Sequence, residues 1–347
     1  MQSSEIIKQF LLERKGYLKK GNQKIQDTLT KKYQTHFSID EIRSIKKEVL
    51  KNLRESRKLE AVVEDFRENS KRLESTPFAP TRKAPIVALS KNIPPSIADQ
   101  EGMHIMMGCN HVPFHHKRLH DGIRRMMIDH ASKIVGFHLM GDFADINTLS
   151  SHDKGRFTAV PGLTLDDEYA ACNDELDMFA QAMNPNVWKT YLYGNHEDRH
   201  NRWMANMDNA KTPLTAPREG LDLVQRGYDV KNKWSQDYFT LGNDFEIFHG
   251  IYFSIHNAKA HLDKLRTSCA YVHTHRIQNY REGRMAAFNI GACADFTTPA
   301  FNYATRPMKA QWANGFAINM IDWKGNSNIT QINVNPDGHF WFGGVYY

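Results

Sequence analysis

The sequence predicts a layered α/β protein, two β-sheets packed face to face with helices outside them, and a separate all-helical module at the amino end. Three observations lead there. Past residue 101, short apolar runs alternate with amphipathic stretches, which is the pattern of strands and covering helices. Beyond residue 230, strand-type runs follow one another with little helix between them. Within the first 75 residues, apolar side chains recur every three or four positions instead. A chain of 347 residues, 41% of them hydrophobic, has room for one large domain and a smaller one.

Taken in order, Ile6, Ile7, Phe10 and Leu11, then Ile25 and Leu29, then Ile42, Ile45, Val49 and Leu50 mark three helices. "FSIDE" supplies a Ser/Asp start for the third, which is expected to run from about Ile39 to Asn69. This basic module, residues 1–75, reads either as a helix-turn-helix-like DNA-binding unit or as an oligomerisation arm. Residues 76–100 form a linker, because Pro77, Pro80, Pro85, Pro94 and Pro95 break helices and favour extended chain. Residues 101–347 make the main domain. Its expected elements are "HIMM", "RLHDGIRRMMIDHASK", "IVGFHLM", "DEYAACNDELDMFAQAM" and "WKTYLY", followed by "DYFTL", "FEIFHG", "MAAFNIG", "FAINMIDW" and "ITQINV" as a second sheet.

Composition narrows the setting. The chain shows no signal-peptide pattern at its start and no apolar run long enough for a membrane span, so no membrane partner is expected. Cys109, Cys172, Cys269 and Cys293 form no CxxC pair or dense framework, which suits reduced thiols in a cytoplasmic location. Residues 1–75 hold 18 Lys and Arg against 12 Asp and Glu, while the remaining 27 of each sign cancel. All of the net +6 therefore lies at the amino end. That excess fits nucleic acid as a partner through phosphate attraction, and it equally fits a solvated helical face.

In an α/β sheet, ligands gather at the carboxyl ends of strands, where a fixed backbone meets a free loop. Here each apolar run ends in polar residues: Gly108-Cys109-Asn110-His111, Gly141-Asp142-Phe143-Ala144-Asp145, Gly194-Asn195-His196-Glu197, His249-Gly250 and His273-Thr274-His275. Imidazoles with a carboxylate and an amide suit divalent Mn, Fe or Zn.

This ordered series resembles the calcineurin-like metallophosphoesterase superfamily, whose motifs run DxH, GDxxD, GNH(D/E), H and GHxH. The likeness covers about residues 103–345, and "GNHEDR" with "HTHR" is similar to bacterial and phage members. It implies a calcineurin-like two-sheet sandwich and two divalent metal ions. One would be held by Cys109, His111, Asp142 and His275, the other by Asp142, Asn195, His249 and His273, with Asp142 bridging. Two such ions clamp a phosphate and acidify a water. His196 would then serve the transition state or the leaving group, with Asp145 or Glu197 orienting it. Arg199 and Arg276 are candidates for a nonbridging phosphate oxygen.

Two residues depart from the motifs. Val272 stands where the family has a glycine, a small change. Cys109 stands where it has an aspartate, and three readings follow: a thiolate ligand favouring Zn or Fe over Mn or Mg, a buried thiol beside a weakened first site, or an inactive descendant kept for binding. For His115, His116, His152 and His200, packing or solvation is the expected role. Residues 201–234 are expected to form a lid or substrate wall, with Trp203 and Trp234 either buried or stacked on a base.

The function expected from all of this is metal-dependent hydrolysis of a phosphodiester, with nucleic acid as the substrate and the 1–75 module as its DNA contact. A phosphomonoesterase or cyclic-nucleotide phosphodiesterase with an oligomerising arm, giving a homo-oligomer, is one alternative. A catalytically weakened binding protein is the other.

Overall fold

A computed structural model describes residues 3–13, 22–33, 36–50, 95–150, 160, 162–205 and 214–347. Most of the expected linker, the last third of the expected helical module and His152 lie outside the described residues.

The amino-terminal helices are α1 (Ser3–Glu13), α2 (Asn22–Tyr33) and α3 (residues 39–50). They share one core of their own, in which Ile7, Phe10 and Leu11 meet Ile25, Leu29, Phe37, Ile42, Ile45 and Val49. The three- and four-residue spacing puts these side chains on one face of each helix, and burying that face is what holds helices this short. Two polar ties fasten them. Gln26 Nε2 donates to Phe37 O at 2.6 Å, and Lys8 pairs with Glu48 at 2.8 Å.

The main domain has four layers. Its larger sheet has the order β11-β10-β1-β2-β3-β4, formed by β1 (Gly102–Met107), β2 (Ile134–Leu139), β3 (Trp188–Leu192), β4 (Tyr228–Lys231), β10 (Gly315–Ile321) and β11 (Ser327–Asn333). Strands β1 to β4 run parallel, while β10 and β11 add on antiparallel. The second sheet has the order β5-β6-β7-β9-β8, from β5 (Phe239–Leu241), β6 (Phe245–Ile247), β7 (Ser268–Tyr271), β8 (Ile277–Glu282) and β9 (Met285–Ile290). A short hairpin, β12 (Trp341–Phe342) with β13 (Val345–Tyr346), closes the chain.

Side-chain alternation along each strand builds the layers. Ile105 and Met107 face a core shared with Leu119, Ile123 and Met127 of α4 (Lys117–Asp129) and with Cys172, Leu176 and Phe179 of α5 (Leu165–Gln181). Met106, between them, faces the other way, into a core formed with Phe239, Leu241, Ile247, Ala270 and Ile290 of the second sheet. The outer face of that sheet packs Cys269, Tyr271 and Ala287 on Ala258 and Leu262 of α8 (Asn257–Leu265). Three shorter helices, α6 (Asp198–Met204), α7 (Pro217–Gly220) and α9 (Arg306–Lys309), lie in the connections. Two sheets flanked by helices is the architecture expected of a calcineurin-like sandwich.

The sheet assignment differs from expectation in one respect. "FAINMIDW" and "ITQINV" belong to the first sheet, where β10 pairs with β1 and β11 with β10. β10 buries Phe316 and Ile318 on the α4/α5 side and Ala317 and Ile321 between the sheets. A strand apolar on both faces needs a covered position, and the open edge of β1 offers one. Part of the expected lid, residues 228–231, is likewise strand β4. Among the described residues, no helix is long and apolar enough to cross a membrane.

Candidate metal centre

Five strands, parallel within each sheet, end at one place. The turns after β1, β2, β3, β6 and β7 deliver Cys109 and His111, Asp142, Asn195 and His196, His249, and His273 and His275. Close approach is enforced by glycine: a Cβ on Gly194 would lie 2.1 Å from Asp142 Oδ1, and one on Gly141 2.5 Å from His249 Nδ1. The backbone is itself strained here, because Cys109, His111, Asp142, His273 and His275 all have positive φ, between 47° and 77°. Non-glycine residues hold that conformation at a cost of about 1–3 kcal/mol each, and such strain gathers where function requires it.

The side chains form two groups joined by Asp142. In the first, His111 Nε2 stands 3.1 Å from His275 Nε2 and 3.9 Å from Asp142 Oδ2, and Cys109 completes the set with His111 and His275. In the second, His249 Nε2 stands 3.2 Å from Asp142 Oδ2, 3.1 Å from Asn195 Oδ1 and 3.1 Å from His273 Nδ1. All seven residues named as ligands from the sequence are therefore brought together.

Hydrogen bonding shows what this arrangement suits. His249 Nδ1 must carry its proton, because it donates to Met140 O at 2.9 Å and a carbonyl cannot donate. On a neutral ring, Nε2 then presents a lone pair to the oxygens of Asp142 and Asn195. His111 repeats the pattern: Nδ1 donates to Asp145 Oδ1 at 2.8 Å, so Nε2 directs a lone pair inward. His275 Nδ1, buried, meets no partner at all. Lone pairs facing lone pairs is what a cation relieves, and a donor set of imidazole, carboxylate, amide and thiol fits divalent Zn, Fe or Mn.

Electrostatics report the same crowding. Burial alone would raise Asp142, but His249 and His196 hold its carboxyl well below the usual range. Burial would lower His249, yet Asp142 raises it, so a proton on that ring does there what a cation would do. Burial and His249 push His273 down to about 3, and burial with His111 lowers His275 well below its ordinary value. Burial and Asp142 push the Cys109 thiol well up, so it is a thiol unless a cation draws off the proton. Its Sγ accepts from His273 N at 3.1 Å and lies within ligand distance of both groups.

Of the other candidates, His196 and Asp145 meet: His196 Nδ1 lies 2.8 Å from Asp145 O and 3.0 Å from Asp145 Oδ1. Burial opposes ionisation of Asp145, but His196, His111 and Arg199 keep its carboxyl far below the usual range. Glu197 has a different role from the expected one. Its Oε2 accepts from Asp142 N at 2.9 Å and Gly194 N at 2.8 Å, and its Oε1 from Ala144 N at 3.1 Å and Tyr191 Oη at 2.8 Å. With its oxygens turned to three backbone N–H groups and the Tyr191 hydroxyl, it braces two turns and leaves His196 to Asp145. Arg199 reaches the centre, with Nη2 3.3 Å from His196 Nε2. Arg276 donates to Ser254 O at 3.0 Å. Val272 is fully buried between the sheets, where its methyls lie 3.0 and 3.2 Å from the place of a Cβ on Gly108, so the glycine at 108 makes room for it.

One group escaped the sequence reading. His115 and His120 lie 3.1 and 2.8 Å from the Glu175 carboxylate, which Arg124 also contacts at 2.7 Å, and His120 Nε2 accepts from Asn110 Nδ2 at 2.9 Å. The guanidinium balances the carboxylate, and the network anchors Asn110, the residue between Cys109 and His111. Helical spacing of His120 and Arg124 was its visible trace. His116 and His200 have structural roles: His116 accepts from Leu119 N at the start of α4, and His200 bonds Leu214 O at 3.0 Å.

No family model and no curated protein matches the chain. Among solved structures, it is similar to Vacuolar Protein Sorting 29 from Cryptosporidium parvum, with TM-score 0.36 and 12% identity over 71% of this chain and 95% of that one. An archaeal phosphodiesterase aligns with TM-score 0.32 and 16% identity over 66% of this chain and 98% of that one. Vps29 from Chaetomium thermophilum aligns with TM-score 0.30 and 11% identity over 68% and 95%.

Proposed function

We propose that the protein is a metal-dependent phosphoesterase acting on a phosphodiester, with nucleic acid as its substrate. The observation that carries this reading is the inward turning of the His111 and His249 lone pairs on either side of Asp142, with seven donors from five strand ends around them. Cys109, His111, Asp142 and His275 would hold one divalent ion, and Asp142, Asn195, His249 and His273 the other. When bound, such a pair supplies Lewis-acid polarisation of a phosphate and an activated water.

The chain's own residues supply the rest. Asp145 fixes the rings of His111 and His196 by accepting from both. As imidazolium, His196 can give its Nε2 proton to the leaving oxygen as the P–O bond breaks, keeping the Nδ1 proton on Asp145 and ending as the neutral ring. Arg199, beside it, can pair with a nonbridging oxygen. Four free, buried cysteines suit a reducing, cytoplasmic setting.

The test is a hydrolysis screen over Zn, Fe and Mn, with bis(p-nitrophenyl) phosphate, p-nitrophenyl phosphate and DNA side by side. Turnover of the diester and DNA supports the reading. Turnover of the monoester alone transfers it to a phosphomonoesterase, and absence of turnover with every metal refutes it. The basic helical module is assigned to DNA: removing residues 1–75 should weaken DNA binding and flatten its salt dependence. Unchanged affinity and slope would assign it to self-association instead.

A further inference from the structure

Aromatic rings stand at both ends of the centre. Beside the second group, Trp234 and Phe253 lie 5.6 and 5.3 Å from the ring of His273. Beside the first, Phe301 lies 5.3 Å from His111, and Trp312 lies 4.8 Å from His275. Phe301 and Trp312 also pack with Phe114, Val160 and Ala300, so core packing explains them. Two rings are not explained that way. Phe253 is 65% exposed on the loop after His249, and Tyr303, 6.2 Å from Trp312, is 46% exposed. Tyr303 packs on Phe301 at 6.5 Å and on Trp312, the two rings that meet His111 and His275.

Building on the phosphodiesterase reading, we propose that Phe253 and Tyr303 are stacking platforms for planar groups on the two ester arms of the substrate, selecting single-stranded nucleic acid. A diester held among the imidazoles sends out two arms, and each platform lies toward a different group, Phe253 directly on His273 and Tyr303 on the Phe301 and Trp312 rings that meet His111 and His275. Exposed rings gain from covering by a base face, on the order of tenfold or more per base. Duplex bases are already stacked on one another and present no free face. Two guanidinium groups stand nearby, Arg199 at His196 and the half-exposed Arg202, which donates to Asn195 O at 2.6 Å and pairs with Asp198 at 3.1 Å.

The test uses the full chain in chelator, where hydrolysis plays no part. Intrinsic fluorescence is titrated with a short oligothymidylate and with an abasic oligonucleotide of the same length, which removes the contribution of phosphate alone. The parent should prefer the thymidylate at least tenfold. Phe253→Leu and Tyr303→Leu should each cut that preference at least fivefold. Phe253→Tyr should retain it, as should Trp323→Leu, which removes a ring that is 68% exposed and packs beside Lys324. Equal binding of the two oligonucleotides by the parent, or a parental ratio in both Leu variants, would overturn the platforms. The metal screen decides separately. Diester turnover with an unaltered ratio keeps the phosphoesterase and removes the platforms, whereas a ratio that depends on both rings without turnover keeps the platforms as a binding site.

Discussion

Replacing Glu197 by Gln removes one charge and one acceptor from beneath the centre. The carboxylate receives four donors, Asp142 N and Gly194 N on Oε2, Ala144 N and Tyr191 Oη on Oε1. An amide offers one oxygen only, and its NH2 must replace the other. The less costly orientation sets the NH2 against Ala144 N and Tyr191, whose hydroxyl can turn and accept, so one buried backbone N–H loses its partner. An unmet buried donor costs about 1–3 kcal/mol, and the remaining bonds weaken from charged to neutral strength. Relief of burying a charge offsets part of this, leaving about 2–4 kcal/mol. At roughly 2–4 °C per kcal/mol for a domain of this size, the melting temperature should fall by about 5–15 °C. Because the tethers run to Asp142 and Gly194, zinc uptake should weaken in the same variant. Thermal melts and equilibrium dialysis read the two effects. A melting temperature within about 2 °C of the parent, with unchanged zinc uptake, would show that this carboxylate braces nothing.

Three further outcomes follow from the same geometry. His196→Ala should lower diester turnover by about 10²–10⁴-fold while metal content, read by elemental analysis, persists, and loss of both together would make His196 a ligand. Cys109→Asp should raise activity with Mn relative to Zn, since carboxylate suits the harder ion and aspartate tolerates the positive φ of that position; Cys109→Ser should lower metal occupancy, and identical stoichiometry and activity in all three forms would make the cysteine a bystander. Between the sheets, His104 Nδ1 meets His138 Nε2 at 3.0 Å, and burial lowers His104 to about 4 and His138 well below its ordinary value. Both are neutral when folded, so the unfolded chain binds more protons below about pH 6.5 and stability falls from there toward pH 4, by about 3 kcal/mol for His104 alone. A double variant, His104→Gln with His138→Gln, should melt with a shallower pH slope, and a slope equal to the parent's would refute the assignment.

The strand ends were legible because their signals are local. An apolar run followed by glycine and a polar residue specifies a strand and a turn within a few positions, so Asp142, Asn195 and the histidines could be named without knowing how they meet. The helices α4 and α5 were legible for a similar reason, since three- and four-residue spacing of Leu119, Ile123, Met126 and Met127 defines the buried face. Which sheet a strand enters was not local. β10 carries an apolar pattern that suits either sheet, and only the open edge of β1, some two hundred residues earlier in the chain, places it.

The sequence alone determined the donor types, their order and the strand ends that carry them, because those follow from short-range pattern and side-chain chemistry. Tertiary structure decided their partners. His111 faces His275 across 164 residues, Asp145 and not Glu197 holds His196, and Arg199 meets His196 while Arg276 is tied to Ser254 O. Phe253 carries no motif and comes beside His273 only when β6 pairs with β7, and Tyr303 carries none and meets Trp312 only in the folded chain. Lone pairs turn toward one another only after the backbone has fixed where each ring points, and no spacing along the chain records that direction.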